Sequence, residues 1–226
     1  MPPKAFISWS SGKDSAYALL EARRQGIAEI VGVLTTLSEV YDRVAMHGVR
    51  SKILDLQIAA LGVPAIKVML PTPCPNEIYE ERMAAACADI AAEGVSHIVF
   101  GDLFLADIRA YREERLGQIG MTTLFPLWSR PTRILAREMI SAGIEAHIAC
   151  LDPRQMPISL AGRKFDEQLL ADLPRHVDPC GERGEFHTVV TAGPMFTKPI
   201  AFVQGKTVER DGFVFTDFIA GRDQPG

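Results

Sequence analysis

The sequence has only four cysteines, at positions 74, 87, 150 and 180, and no two of them form a C-x-x-C pair. Zinc knuckles, cysteine-bound iron–sulfur clusters and dithiol redox sites need paired thiols, so none is indicated, and scattered thiols suit a reducing compartment. A basic excess is also lacking. Lys and Arg number 24 against 28 Asp and Glu, a formal charge of -4 at pH 7, and no basic run stands out. A chain gripping nucleic acid mainly through its phosphates is therefore disfavoured. No apolar stretch approaches the ~20 residues that cross a bilayer. The opening Met-Pro-Pro-Lys leads into an apolar run too short for a signal-peptide core. The expected location is the cytoplasm, with no membrane attachment. Internal repeats and low-complexity tracts are absent too.

What is present is a chain of 226 residues, 47% hydrophobic, enough for one large domain or two small ones. Its first half alternates short β-rich runs with longer stretches that place apolar residues every three or four positions. Strands are expected near 5–9, 29–36, 64–69, 97–101 and 122–127, and helices near 14–25, 50–61, 75–92 and 107–119. Gly26, Gly62, Gly94 and Gly120 serve as helix C-terminal caps. Ile53, Leu54, Ile58 and Leu61 mark one buried helical face, and Ile78, Met83, Cys87 and Ile90 another. The reading is an α/β fold: a five-stranded parallel, doubly wound, Rossmann-like domain over residues 1–128, with ligands gathering at the carboxyl ends of its strands.

After "PLWSRPTR" the pattern changes. Pro131 opens a helix with Ile134, Leu135 and Met139 on its apolar side, and "IEAHIAC" reads as a strand. "DPCGERGEFHTVV" reads as a turn and a strand, and Asp211-Gly212 within "KTVERDGFVF" as a two-residue hairpin. These elements give a smaller α+β domain over residues 129–226, ending in an "RDQPG" tail expected to fray.

The chemistry is signalled by "AFISWSSGKDSA" at residues 5–16, an apolar run followed by small hydroxyl residues, Gly, Lys and a helix start. A Walker loop, G-x-x-x-x-G-K-[ST], fails twice, because Ile7 stands where the first Gly belongs and Asp14 follows Lys13. Small residues still let the backbone approach an anion, the helix start supplies free N–H groups, and Lys13 adds charge, so an oligophosphate fits. Asp14 beside phosphate makes sense if it faces a magnesium ion that the phosphates share. As an ordinary polar turn, the same run would use Asp14 only as a helix cap. Its place directly after the first strand favours the phosphate loop.

Ser10-Ser11-Gly12-Lys13-Asp14-Ser15 resembles the S-G-G-x-D-S loop of the PP-loop ATP pyrophosphatases, which cleave ATP between its α and β phosphates. Within them the sequence is similar to the diphthine-ammonia ligase group over nearly the whole chain. The matching motifs are "SWSSGKDS", "MHGVR" at 46–50, "VFGDLFLADIRAYRE" at 99–113, "PLW" at 126–128 and "GERGEFHT" at 181–188. The resemblance implies an adenine nucleotide alpha hydrolase-like fold, with ATP and Mg2+ as cofactors. It further implies a ligase that activates a small or protein-borne carboxylate as an acyl-adenylate, releasing pyrophosphate, after which ammonia displaces AMP.

By that resemblance Ser10, Ser11, Gly12, Lys13, Asp14 and Ser15 hold the phosphates, with Lys13, Asp14 and Asp102 catalytic and Asp14 on the metal. Thr35, Thr36, His47, Gly48 and Gly101 fall at strand ends or in the following loop, on the nucleotide side. Strand preference alone explains the two threonines equally well, and turn capping is the alternative for Asp102. Arg109 and Arg112 lie near enough to a strand end to meet an anion, within a charged helix face carrying Glu113, Glu114 and Arg115. Glu182, Glu185, Phe186, His187 and Thr188 are implied in the acceptor pocket, where carboxylates and an aromatic ring suit a quaternary ammonium group. The family pattern there is close to E-G-G-E-[YF]-E-T. Arg183 and His187 depart from it, which argues against a strongly cationic acceptor such as diphthine.

The nitrogen would come from free ammonium or a separate partner, since no glutamine-hydrolysing segment accompanies the chain. Assembly as a homodimer fits these expectations. Two other readings remain at this point, a tRNA-modifying PP-loop enzyme and a non-catalytic ATP or AMP sensor. The missing C-x-x-C pairs and basic domain count against the first, and Asp14 with "GERGE" exceeds what the second requires.

Overall fold

In the computed structural model, residues 1–221 are described, and the tail expected to fray lies outside them. The first half builds one sheet from β1 (Lys4–Ser8), β2 (Glu29–Ser38), β3 (Arg43–Val44), β4 (Ala65–Leu70), β5 (His97–Val99) and β6 (Thr122–Leu124). β4, β2, β1, β5 and β6 run parallel in that order. The intervening helices are α1 (Lys13–Gln25), α2 (Ser51–Leu61), α3 (Asn76–Ala92) and α4 (Ala106–Gly117). Parallel neighbours need long crossovers, and these helices provide them. The order reverses direction at β1 and β5, so the crevice beyond their carboxyl ends is where this topology collects ligands.

The expected periodicities produce these elements, with some differences. Ile53, Leu54 and Leu61 are buried on α2, and Cys87 and Ile90 on α3, whereas Ile78 and Met83 are only partly covered. Gly26 and Gly62 cap α1 and α2 in the left-handed region, while Gly94 and Gly120 take that conformation just beyond the residues that cap α3 and α4. β5 and β6 stop short of the expected ends at 101 and 127.

β3 was not expected, since two residues carry no readable period. It pairs antiparallel with Leu37 and Ser38, farther along β2 than Leu34, where β1 stops pairing. The Ala45–Val49 turn is thereby folded back beside the end of β1.

The second half contains α5 (Thr132–Ser141), β7 (Glu145–Leu151), a 3-10 turn at Ile158–Leu160, α6 (Glu167–Asp172), β8 (Phe186–Ala192), β9 (Phe202–Arg210) and β10 (Phe213–Ala220). Neither the 3-10 turn nor α6 was expected. The strands form a separate antiparallel sheet in the order β8-β7-β10-β9. Asp211 and Gly212 have φ of 52° and 78°, the paired positive values that a tight hairpin turn requires. Leu135 and Met139 are buried on α5 as expected, but Ile134 is 57% exposed and Ala136 takes its place in the core. A single apolar cluster includes Ile7, Trp9 and Leu19 from the first half and Phe165, Phe186 and Val190 from the second. Among the described residues no helix is long and apolar enough to cross a membrane.

Candidate active site

A polar cavity of about 220 Å³ opens at the β1/β5 reversal. Ser8, Ser10, Asp14 and Ser15 line it from the first strand and helix, Phe100, Gly101, Asp102 and Arg112 from β5 onward, His47 from the β3 turn, and Gly181, Glu182, Phe186 and His187 from the second half. Sequence positions far apart converge because the ends of β1 and β5, the turn after β3 and the segment leading into β8 of the second sheet meet here, with Arg112 reaching in from α4.

The turn between β1 and α1 is tightly specified. Ser11 has φ of 69° and Gly12 is extended at the α1 N-cap. The Ser15 hydroxyl donates to the Gly12 carbonyl at 2.9 Å and lies 3.2 Å from the Ser10 hydroxyl. A Cβ on Gly12 would sit 2.7 Å from His47 Cε1. A Cβ on Gly101 would come within 2.7–2.9 Å of three backbone atoms of Asp14 and Ser15. Only glycine lets the strand-end segment approach the first turn of α1 so closely. Among the described residues the Ser11 hydroxyl finds no partner; it is fully buried, and neither Ser11 nor Gly12 is on the cavity wall.

Gln57 anchors this turn and was missed in the sequence. Its amide donates to the Ser11 and Val190 carbonyls at 3.2 and 2.7 Å and accepts from Trp9 Nε1 at 3.0 Å. A polar residue amid the apolar face of Ile53, Leu54 and Leu61 was the available signal. Further ties come from the Val190 amide, which donates to the Ser11 carbonyl at 2.9 Å, and the Lys13 amide, which donates to Thr188 Oγ1 at 3.0 Å.

The expected donor Lys13 is absent from the cavity lining. Its ammonium is buried, donating to the Cys180 carbonyl and to both Asp14 oxygens at 3.0–3.1 Å, with the Phe165 and Phe186 ring centroids 5.4 and 5.2 Å away. Burial is the largest influence and opposes its charge, but Asp14, Cys180 and Glu182 together outweigh that cost and its pKa sits above the ordinary value. Here Lys13 compensates Asp14 and clasps the two halves together.

Thr35 and Thr36 are not among the cavity-lining residues either. Among the described residues the buried Thr35 hydroxyl finds no partner, and the Thr36 carbonyl accepts from the Ala45 amide. Gly48 (φ 68°) faces the Phe215 ring, where a Cβ would clash at 2.6 Å.

Asp102 is held by Arg112 Nε at 3.1 Å, and the Arg112 guanidinium lies 4.4 Å from the Phe100 ring centroid. Arg109 instead rests near Phe125 and Trp128, at 4.9 and 4.7 Å, and pairs with Glu113 at 2.7 Å, so it is placed against "PLW" and away from the cavity lining.

The "GERGEFHT" segment divides into two roles. Glu182 lines the cavity and accepts the Leu103 amide at 2.7 Å; burial lifts its pKa to about 7 despite that bond. Glu185 is buried, and its two oxygens accept the Asp178 and Arg183 amides at 2.9 Å each. It holds the loop, as Thr188 holds α1, and neither side chain is on the cavity wall. His47 and His187 lie 4.6 Å apart by ring centroid, with His47 Nδ1 3.0 Å from the Thr188 carbonyl. Desolvation lowers their pKa values to about 4 and about 3, so both rings are neutral near pH 7.

The family model described as diphthamide synthase N-terminal domain matches residues 3–123, and that described as diphthamide synthase C-terminal domain matches 131–217. The diphthine–ammonia ligase of Homo sapiens is 27% identical over 218 residues, covering 84% of this chain and 79% of that protein. The diphthine–ammonia ligase of Bos taurus is 26% identical over 233 residues, covering 91% and 85%. With both family models matched in order on the two sheets, the chain belongs to the diphthamide synthase family of enzymes.

Proposed function

We propose that this enzyme is an ATP-dependent, AMP-forming ligase that adenylates a carboxylate, releases pyrophosphate and passes the acyl group to ammonia. The observation that carries the reading is the cavity at the strand-order reversal, closed by the Ser10–Ser15 turn and by the Glu182 segment from the second sheet. The start of α1 and the small hydroxyl side chains of Ser8, Ser10 and Ser15 on the cavity wall suit phosphate oxygens. A carboxylate oxygen attacks the α phosphorus, the bond to the bridging oxygen breaks, and pyrophosphate leaves with the electron pair. Ammonia then adds to the acyl carbon, and AMP departs as the amide forms.

The site also suits magnesium that arrives with the nucleotide. No cluster of three or more His, Cys, Asp or Glu able to hold a metal exists among the described residues. Magnesium bound to phosphates needs only one or two protein carboxylates, and Asp14, 26% exposed at the cavity, supplies one. Such an ion would neutralise charge on the phosphates. Arg112 places a cation beside Asp102, and Glu182, with a pKa about 7, can take a proton from the attacking nitrogen.

Phosphorus NMR of magnesium-ATP with the protein, ammonium and a deproteinised extract tests this. AMP and pyrophosphate are expected, abolished in Asp14→Asn. ADP and phosphate, lost in the same variant, would overturn α-phosphate chemistry.

A further inference from the structure

A second cavity, of about 410 Å³, lies between α3 and α4 on one face of the parallel sheet. Its floor and walls are chiefly apolar, with Leu34, Met83, Cys87, Ile98 and Leu116 among them. Phe100 and Arg112 line both this cavity and the polar one at the strand-order reversal. Arg112 therefore stands at the junction of an apolar chamber and the candidate phosphate site.

The guanidinium there is incompletely used. Asp102 engages Nε alone, at 3.1–3.2 Å, and the Phe100 ring supports one face. The two terminal nitrogens have no protein acceptor among the described residues. A fixed, aromatic-backed guanidinium with its terminal N–H groups open matches a carboxylate in charge and geometry. Apolar walls of this volume suit a small organic body. The mouth carries Glu77, Glu80 and Glu81, of which Glu80 is engaged by Arg115 at 2.9 Å. A second carboxylate on the ligand would meet that acidic rim.

Resting on the ligase reading above, we propose that the acceptor is a free monocarboxylic acid with an apolar body, seated between α3 and α4 with its carboxylate on Arg112. The body occupies the apolar chamber, and the carboxylate reaches the α phosphate across the Phe100–Arg112 threshold. This makes the substrate a small molecule, in contrast to a carboxylate borne on a protein.

The test uses hexanoate, 4-fluorophenylacetate and indole-3-acetate as probes, titrated by ligand-observed NMR without nucleotide, with succinate and 4-fluorophenylacetamide as controls. Ala84 is exposed and lines the chamber, so Ala84→Phe fills it without removing a core side chain. At least one apolar monocarboxylate is expected to bind at about millimolar or lower concentration, and about tenfold or more weaker to Ala84→Phe and to Arg112→Met. Succinate and the amide are expected to bind neither wild type nor variant. ATP affinity, measured separately, stays at the wild-type value in Ala84→Phe. If no monocarboxylate binds, or binding survives Ala84→Phe, the inference is overturned even where ATP is still cleaved to AMP. Failure of wild type to bind ATP would instead remove the ligase reading, an outcome the nucleotide-free titration keeps separate.

Discussion

Replacing Gly101 by alanine should damage the site more than its size suggests. The new methyl would lie 2.7 Å from the Asp14 carbonyl carbon, 2.8 Å from the Ser15 nitrogen and 2.9 Å from the Asp14 oxygen. All three are backbone atoms at the start of α1, so no side-chain rotation relieves the contact. Restoring ordinary carbon contacts of about 3.5–4.0 Å demands a shift of roughly 1 Å. Overpacking of this kind costs about 1–3 kcal/mol, and each kcal/mol lowers Tm by about 2–4 °C in a chain of this size. A misplacement of that order in a catalytic element costs about 100-fold in turnover. Thermal melts and AMP formation, assayed well below the variant's Tm, would report the two effects separately. Gly117, at the end of α4, provides the control because nothing lies within 4 Å of its added Cβ. Gly117→Ala should leave turnover unchanged and raise stability by about 0.4–1 kcal/mol. Wild-type ATP affinity and turnover in Gly101→Ala would refute the argument that this close approach sets the phosphate loop.

Glu185→Gln should lower stability by about 1–3 kcal/mol, because an amide nitrogen would face one of the two backbone N–H groups the carboxylate accepts. A raised acceptor KM with an unchanged Tm would instead return Glu185 to a substrate role. The pH dependence of stability should carry two opposed slopes, measured by urea denaturation. Glu182 keeps its proton up to about 7 when folded against 4.5 ordinarily, so its contribution falls as pH rises through that window, and Glu182→Gln removes the fall. His47 and His187 stay neutral down to about 4 and 3 when folded against 6.5 ordinarily, so stability falls as pH drops below 6.5. His187→Gln should flatten that acid limb, and an unchanged limb would refute the burial of the pair.

The parallel sheet was legible because each strand and helix has its own period and each helix ends near a glycine. The hairpin at Asp211 was legible because few dipeptides adopt two positive φ values. β3 was not, although it places His47 beside the Ser10–Ser15 turn, since two residues cannot display alternation. Glu182 and Glu185 illustrate a different limit. They are three residues apart and chemically alike, yet one faces the cavity and the other binds backbone amides. The chain path that separates them passes through left-handed turns at Gly181 and Gly184, with φ of 71° and 85°. Composition locates the segment but not the direction of each side chain. Lys13 shows the same limit, since its place in the loop suggested a phosphate donor and its partners prove to be Asp14 and Cys180.

The two departures from E-G-G-E-[YF]-E-T are unequal in consequence. Arg183 is exposed and rests 5.4 Å from the Phe104 ring centroid, and it does not line the cavity. Its charge is largely screened by solvent before it could influence a bound acceptor. His187 does line the cavity and packs on His47. A carboxylate at 187 would add a negative charge to that wall and favour protonation of His47. With histidine there, both rings are desolvated and neutral, and the wall carries no charge from either residue. Each remaining carboxylate already has a donor beside it: Lys13 at Asp14, Arg112 at Asp102, and the Leu103 amide at Glu182. A quaternary ammonium acceptor would find an imidazole face at 187, where the motif would supply an anion. The expectation against a strongly cationic acceptor therefore rests on His187 alone, and exchanging that one residue for glutamate is the change that would restore the missing charge.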